Sequence, residues 1–177
     1  MDETTIGRLV HRLAVATAIL GGLALVFVTV LTLASVVGRA LIPLGLSAIL
    51  GDYEFVQIGV LFAIFCSLPL TQYMRGHADV SLLTDRFPTR VSAAIELVMD
   101  VLTFLAFSFV IWRYSLGMLD KFSNQEMTLL LHIPVWVIYA LGLVGGVATV
   151  VVSAYCVVRS FANTFSRHPV KPEPSIF

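Results

Sequence analysis

Charged residues are scarce in this chain, and their scarcity excludes an ordinary soluble domain. Only 12% of the 177 residues are Asp, Glu, Lys or Arg, whereas 58% are hydrophobic. Soluble domains carry about 25% charged residues, so this chain has too little polar surface to face water. Lys and Arg together number 11, as do Asp and Glu, which leaves no net basic charge for a nucleic-acid partner. We therefore expect membrane lipid to surround most of the chain.

Residues for catalysis or cofactor binding are also few. Cys66 and Cys156 each lie within an apolar run and form no CxxC pair, which is typical of core residues. All four histidines lie at or beyond the ends of the apolar runs, which excludes a haem held between facing helices. No residue cluster has metal-site spacing, and neither GxSxG nor a glycine-rich phosphate loop occurs. The sequence predicts no enzyme, no catalytic or metal-binding residue and no cofactor.

The chain does contain long hydrophobic runs, each of at least the roughly 20 residues that cross a bilayer. They predict an all-α membrane bundle of four transmembrane helices, with spans at about 13–37, 53–73, 91–115 and 133–158. The first loop, 40–52, is itself apolar, and we predict a short helix in the membrane interface there. Residues 1–160 then form a single membrane domain, and the proline-containing segment 161–177 is a flexible cytoplasmic tail.

The cations are unevenly distributed between the two sides of the predicted bundle. Three lie on one side, namely Arg39, Arg113 and Lys121, and eight lie in the N-terminus, the 75–90 connection and the tail. Because short cytoplasmic segments are enriched in Lys and Arg, this bias predicts that both termini are cytoplasmic.

The middles of the spans carry only isolated hydroxyl residues, such as Thr29, Thr149 and Ser153. Such side chains usually bond to their own helix backbone, whereas a transporter that works alone needs inward polar groups at the midplane. Two faces of small residues predict close helix contacts. One holds Ala14, Ala18 and Gly22, and the other holds Gly142 and Gly146.

Acidic residues occur instead near the ends of the spans. Glu54 and Gln57 share one face at the outer start of the second span, and they suit either a first helical turn or a polar contact with a partner chain. Glu96 and Asp100 lie one turn apart at the cytoplasmic end of the third span. An ionised carboxylate in lipid is costly, so we expect them to reach the headgroups or to pair with Arg86, Arg90 or a partner's cation.

Three stretches of the chain, in this order and spacing, carry a family resemblance. Residues 53–57 read YEFVQ, residues 75–80 read RGHADV, and EMT at 126–128 precedes IPVWVIY at 133–139. Together they resemble the small membrane subunit, DctQ type, of tripartite ATP-independent periplasmic (TRAP) transporters. Ala78 replaces a usually larger apolar residue, and Ala140 begins a stretch that lacks the proline usual in the family.

The resemblance implies a non-catalytic small permease subunit of a sodium-coupled importer for an organic acid, in a bacterial inner membrane. Its partners would be a large multi-span transport subunit, whose static scaffold it extends, and a periplasmic substrate-binding protein that it helps to dock. The candidate interface residues are Glu54, Gln57, His77, Glu126, Trp136 and Tyr139. Trp136 and Tyr139 equally suit an aromatic belt at the membrane surface. The alternative is a self-sufficient small channel or transporter that acts as a homo-oligomer.

Overall fold

Four long α-helices make up most of the structure. A computed structural model describes residues 5–44, 49–74 and 89–165. The helices in these ranges are α1 (Thr5–Ala40), α2 (Asp52–Tyr73), α3 (Thr89–Ser123) and α4 (Val135–Phe165). Each contains a stretch that is long and apolar enough to cross a membrane. The predicted all-α bundle of four membrane-spanning helices is therefore confirmed.

Three helices extend past the predicted spans. At 1.5 Å per residue, α1 and α3 are each about 50 Å long, whereas the hydrocarbon core is about 30 Å thick. They must tilt or protrude from the bilayer. Helix α4 continues to Phe165, so residues 161–165 of the predicted flexible tail are helical, and 166–177 lie outside the described residues. In the first loop a 3₁₀ turn, Ile42–Leu44, is described, and residues 45–48 of the predicted interfacial helix are not.

The inner helices of the bundle are α2 and α4. Helix α1 packs on α2, α2 packs on α4, and α4 packs on α3, with a smaller contact between α1 and α4. The ring centroids of His11 and Tyr73 are 5.1 Å apart, and Val10 and Val152 belong to the same buried cluster. These contacts join the start of α1 to the end of α2, and the same cluster extends to Cys156 in the last third of α4. The start of α1 and the end of α4 are thus at one end of the bundle, here called the termini end, and its cytoplasmic location remains a prediction.

Glycines allow α4 to approach both of its large neighbours. A Cβ atom added to Gly145 would lie 2.6 Å from the carbonyl carbon of Phe65, so the backbones of α4 and α2 nearly touch. Gly142 and Gly146 accommodate side chains of α3, those of Tyr114 and Ile111. The predicted contact face of Gly142 and Gly146 is therefore confirmed. In lipid such close approach is what holds helices together.

The small-residue face predicted on α1 is wrong at one position. Ala14 is fully buried, but Gly22 is exposed, and an added Cβ there would meet nothing within 4 Å. The glycine that packs is the adjacent Gly21, which lies against Cys66 and Ala63 of α2. The contact face of α1 therefore does not follow the row of small residues that begins at Ala14. The position of α2 determines which residues of α1 are in contact.

The isolated hydroxyl residues bond to their own helices, as predicted. Thr29 donates to the carbonyl oxygen of Leu25 at 2.8 Å, and Thr149 donates to that of Gly145 at 2.9 Å. Ser153 does the same one turn further along α4, to Thr149 at 2.7 Å. These side chains are therefore satisfied within their helices and need no ligand.

Alanine substitutions at two glycines should separate packing from helix propensity. Gly145→Ala places a methyl group against the backbone of α2, so we expect a loss of about 1–3 kcal/mol in stability. Gly22→Ala adds the same group in open space, where the higher helix propensity of alanine should leave stability unchanged or raised by up to about 1 kcal/mol. Thermal unfolding of the detergent-solubilised variants measures both effects, and equal midpoints would contradict the proposed α2–α4 contact.

Candidate functional site

The connection between α3 and α4, residues 124–134, folds into a tight hairpin at the end of the bundle opposite the termini end, and is here called the cap loop. Gln125 leaves α3 with a positive φ of 52°. The backbone N–H of Val135 then donates to Glu126 O at 2.9 Å. Nearer the tip, the N–H of Thr128 donates to Ile133 O at 2.9 Å, and the N–H of Ile133 donates to Thr128 Oγ1 at 3.0 Å. Two successive cross-links thus fix the hairpin.

Glu54 of α2 holds the tip of the cap loop. Its Oε1 accepts from the backbone N–H of Leu130 at 2.8 Å, and its Oε2 accepts from that of Leu131 at 3.0 Å. The side chain is buried, with 7% of Glu54 exposed. Hydrogen bonds to a carboxylate are stronger than those between neutral groups. The carboxylate therefore fastens the α3–α4 connection to the start of α2.

Gly51 makes room for the cap loop just before α2 begins. Its φ of 78° lies in the left-handed region, where residues with a Cβ are strained. An added Cβ would also lie 2.7 Å from Cγ of Leu131. Both the backbone conformation of residue 51 and its contact with Leu131 therefore require glycine at this position.

The cap loop displays apolar side chains. Leu129 is 91% exposed, and Met127 and Leu130 are each more than half exposed. Leu130 is one of the two residues whose backbone Glu54 anchors, and Leu129 precedes it, so these side chains point away from the bundle and do not pack into it. Exposed apolar groups on an ordered loop are typical of a contact with lipid headgroups or with another protein.

A second polar contact closes the same end of the bundle between α1 and α2. The hydroxyl of Ser35 donates to Oδ2 of Asp52, and the guanidinium of Arg39 lies 3.5 Å from the same oxygen. The other carboxylate oxygen accepts from the backbone N–H of Tyr53 at 2.7 Å. We did not predict this pairing, because the sequence shows only that opposite charges flank the first loop.

An open groove runs along the exposed face of α2 below the cap loop. Its volume is about 350 Å³, and it is lined by Tyr53, Val56, Gln57, Val60, Leu61, Ile64 and Phe65. Gln57 is exposed and makes no hydrogen bond to any residue in the described ranges. An amide on an otherwise apolar membrane-spanning face favours a hydrogen-bonding protein neighbour over lipid tails, which offer no polar group.

Comparison with known families identifies the family of the chain. A family model described as "Tripartite ATP-independent periplasmic transporters, DctQ component" matches residues 28–163. The chain belongs to the DctQ family. The resemblance stated from the three motifs is thereby confirmed, and the family supports a small permease subunit of a TRAP transporter in a multi-pass membrane protein. DctQ proteins are transporter components and not a known class of enzyme. Neither the curated proteins nor the solved structures gave a match.

The structure distributes the predicted interface residues of this DctQ protein over three settings. Glu54 and Glu126 bond within the chain, since Glu126 Oε1 accepts from Nζ of Lys121 at 2.8 Å. Trp136 packs edge-on against Phe122 of α3. Gln57 alone of the described candidates is exposed without a hydrogen bond. Of the two other candidates, Tyr139 packs within the bundle and His77 lies outside the described residues.

Tyr139 lies in an aromatic stack that the sequence did not reveal. Its ring stacks on Tyr114 of α3 at 4.8 Å, and Tyr114 in turn packs on Phe65 of α2 at 4.9 Å. The buried hydroxyl of Tyr114 has no hydrogen-bond partner among the described residues and lies against Gly142. The stack joins three helices, so Tyr139 acts in packing within the bundle. Only the tertiary fold brings these rings together.

Asp100 also has a partner that the sequence did not suggest. It is 6% exposed, and it accepts a hydrogen bond from the Ser160 hydroxyl of α4. The arginine partners predicted for it, Arg86 and Arg90, have side chains outside the described part of the structure. Thr164 donates to the Ala93 carbonyl oxygen at 3.1 Å one step further along the same pair of helices. These bonds fix the start of α3 to the end of α4.

Removing the charge of Glu54 should loosen the cap loop. In Glu54→Gln the two bonds to Leu130 and Leu131 lose their ionic character, and one of them must face an amide N–H₂ group. We expect the backbone amide hydrogens of the cap loop to exchange faster in this variant, on the order of tenfold or more. Glu126→Gln is the matched control, because its carboxylate bonds to the Lys121 side chain and not to the tip. Unchanged exchange in Glu54→Gln would show that the carboxylate does not hold the loop.

Proposed function

We propose that this chain is the small permease subunit of a sodium-coupled TRAP importer for an organic acid in a bacterial inner membrane. It acts without catalysing a reaction, by pairing with the large transport subunit and extending the static scaffold of the transporter. It also helps to dock the periplasmic substrate-binding protein. Membership of the DctQ family supports the proposal, since DctQ proteins are one component of a three-part transporter.

The contrast between the middle and the ends of the helices carries the proposal. Several hydroxyl groups described in the middle, such as that of Thr149, are satisfied by their own backbone, and the buried hydroxyl of Ser108 on α3 is the one there without a hydrogen-bond partner among the described serines and threonines. The charged contacts of Glu54 and Asp100 lie near the two ends and bond within the chain. A protein that moved its own substrate would need several converging polar groups at the midplane, usually at an interrupted helix, and a lone hydroxyl does not make such a site. A scaffold subunit needs rigid ends and apolar sides, which is what the described ranges offer.

The groove of α2 is the surface that we assign to the large subunit. Its apolar lining suits a neighbouring membrane helix, and Gln57 supplies an amide that can bond across the contact. The cap loop is assigned to the substrate-binding protein, because its exposed Leu129 and Met127 lie at the end that we predict, from the distribution of cations, to face the periplasm. The two surfaces adjoin through Glu54, whose helix carries the groove and whose carboxylate holds the loop.

Co-purification tests the proposed subunit role. The tagged chain, extracted gently from its native membrane, should bring with it a large protein with many predicted spans in roughly equal amount. The pair, reconstituted in vesicles with the binding protein, should take up an organic acid only when an inward sodium gradient is applied. Recovery of the chain alone as a stable homo-oligomer, or uptake by the chain alone, would overturn the scaffold role and favour a small channel.

Filling the groove tests which surface contacts the large subunit. Val60→Trp places an indole in the groove and should lower recovery of the large subunit, because a docked helix would collide with it. Val26→Trp makes the same exchange on α1, where the side chain is 61% exposed and lies outside the groove. We expect recovery with Val26→Trp to equal that of the unmodified chain. Equal recovery with both variants would contradict the assignment of the groove.

A further inference from the structure

A cationic cleft at the termini end has no role in the proposed scaffold. It lies between the first turns of α1 and the last turn of α2, has a volume of about 190 Å³, and is lined by Gly7, Arg8, His11, Arg12 and Tyr73. The His11 ring packs edge-on against Tyr73 and closes one wall. At roughly 30 Å³ per water molecule, the cleft has room for a phosphate group.

Two guanidinium groups point to the charge of the ligand. Arg8 and Arg12 are one helical turn apart on α1, and both are exposed. Neither forms an ion pair or a hydrogen bond with a carboxylate in the described ranges. Arg39, at the opposite end of the same helix, does have a carboxylate, that of Asp52. Planar guanidinium groups bind phosphate oxygens in pairs, so the cleft is complementary to a phosphate anion.

The surface beside the cleft is apolar and continues toward the middle of the helix. Ile6 and Leu9 are each about two-thirds exposed. They are followed along α1 by exposed side chains at Leu13 and Leu20, at helical spacing. A free phosphate ion would make no favourable contact with this apolar surface. A phospholipid would, because its acyl chain would lie along these apolar side chains while its headgroup enters the cleft.

We propose that Arg8, Arg12 and His11, with the wall formed by Tyr73, bind the phosphate headgroup of an anionic phospholipid. The acyl chains of this lipid lie along Leu13 and Leu20 of α1. The bound lipid fills the junction between α1 and α2, where the proposed scaffold meets the membrane surface. This site is separate from the groove and the cap loop and needs no partner subunit.

Lipid binding to the full-length chain, with any subunit that co-purifies, tests the site. Native mass spectrometry would follow titration with phosphatidylglycerol and with zwitterionic phosphatidylcholine of the same acyl chains. We expect phosphatidylglycerol to bind more tightly, and the double variant Arg8→Gln with Arg12→Gln to lose roughly fivefold in affinity per arginine. The double exchange to lysine keeps both charges and should retain most of the affinity. Arg113→Gln, which removes an exposed arginine of α3, is the control and should bind as the unmodified chain does.

Each outcome decides the assignment. Equal affinity for the two lipids, or equal losses in Arg113→Gln and the double glutamine variant, would show unspecific attraction and overturn the site. Displacement of phosphatidylglycerol by low-millimolar inorganic phosphate would assign the cleft to the free ion and overturn the lipid. A selective loss in the double glutamine variant supports the site even if no large subunit co-purifies, so the test is independent of the proposed transporter.

Discussion

The near contact between the backbones of α2 and α4 is the constraint on which the other helix contacts depend. Lipid tails are as apolar as leucine side chains, so burial from lipid drives helices together only weakly, and close packing must replace it. Gly145 lets α4 approach Phe65 of α2, and α1 and α3 then pack on the outer sides of this pair. The cap loop leads into α4 and Glu54 lies in the first turn of α2, so the α2–α4 distance also sets whether Glu54 can reach Leu130.

Local properties of the chain could be predicted from the sequence, and relations between helices could not. The four spans follow from the length of the apolar runs, and the bonds of Thr29 and Thr149 stay within one turn of their helices. The choice of Gly21 over Gly22 depends on where α2 lies, which α1 does not encode. The backbone N–H groups that donate to Glu54 lie 76 and 77 residues away along the chain, and no spacing rule connects them to it.

The candidate site shows the same division between identity and role. The sequence singled out Glu54, Glu126 and Tyr139 as residue types that suit a partner contact. In the structure their polar or aromatic groups are engaged by the chain itself, through the cap loop, Lys121 and Tyr114. A motif can single out a residue at a position. It does not show whether that residue contacts a partner directly or holds the surface that makes the contact.

The contact of Glu54 with the cap loop also keeps the side chain of Leu129 exposed, in addition to stabilising the loop. A loop with apolar side chains at its tip would lower its free energy by folding them onto the bundle. Two backbone N–H groups beside Leu129 are fixed to the Glu54 carboxylate, and Gly51 admits Leu131 beneath them, so the tip cannot turn inward. Leu129 therefore stays 91% exposed on a rigid support. An apolar group displayed in this way is ordered before any partner arrives, so binding to it would cost little conformational entropy.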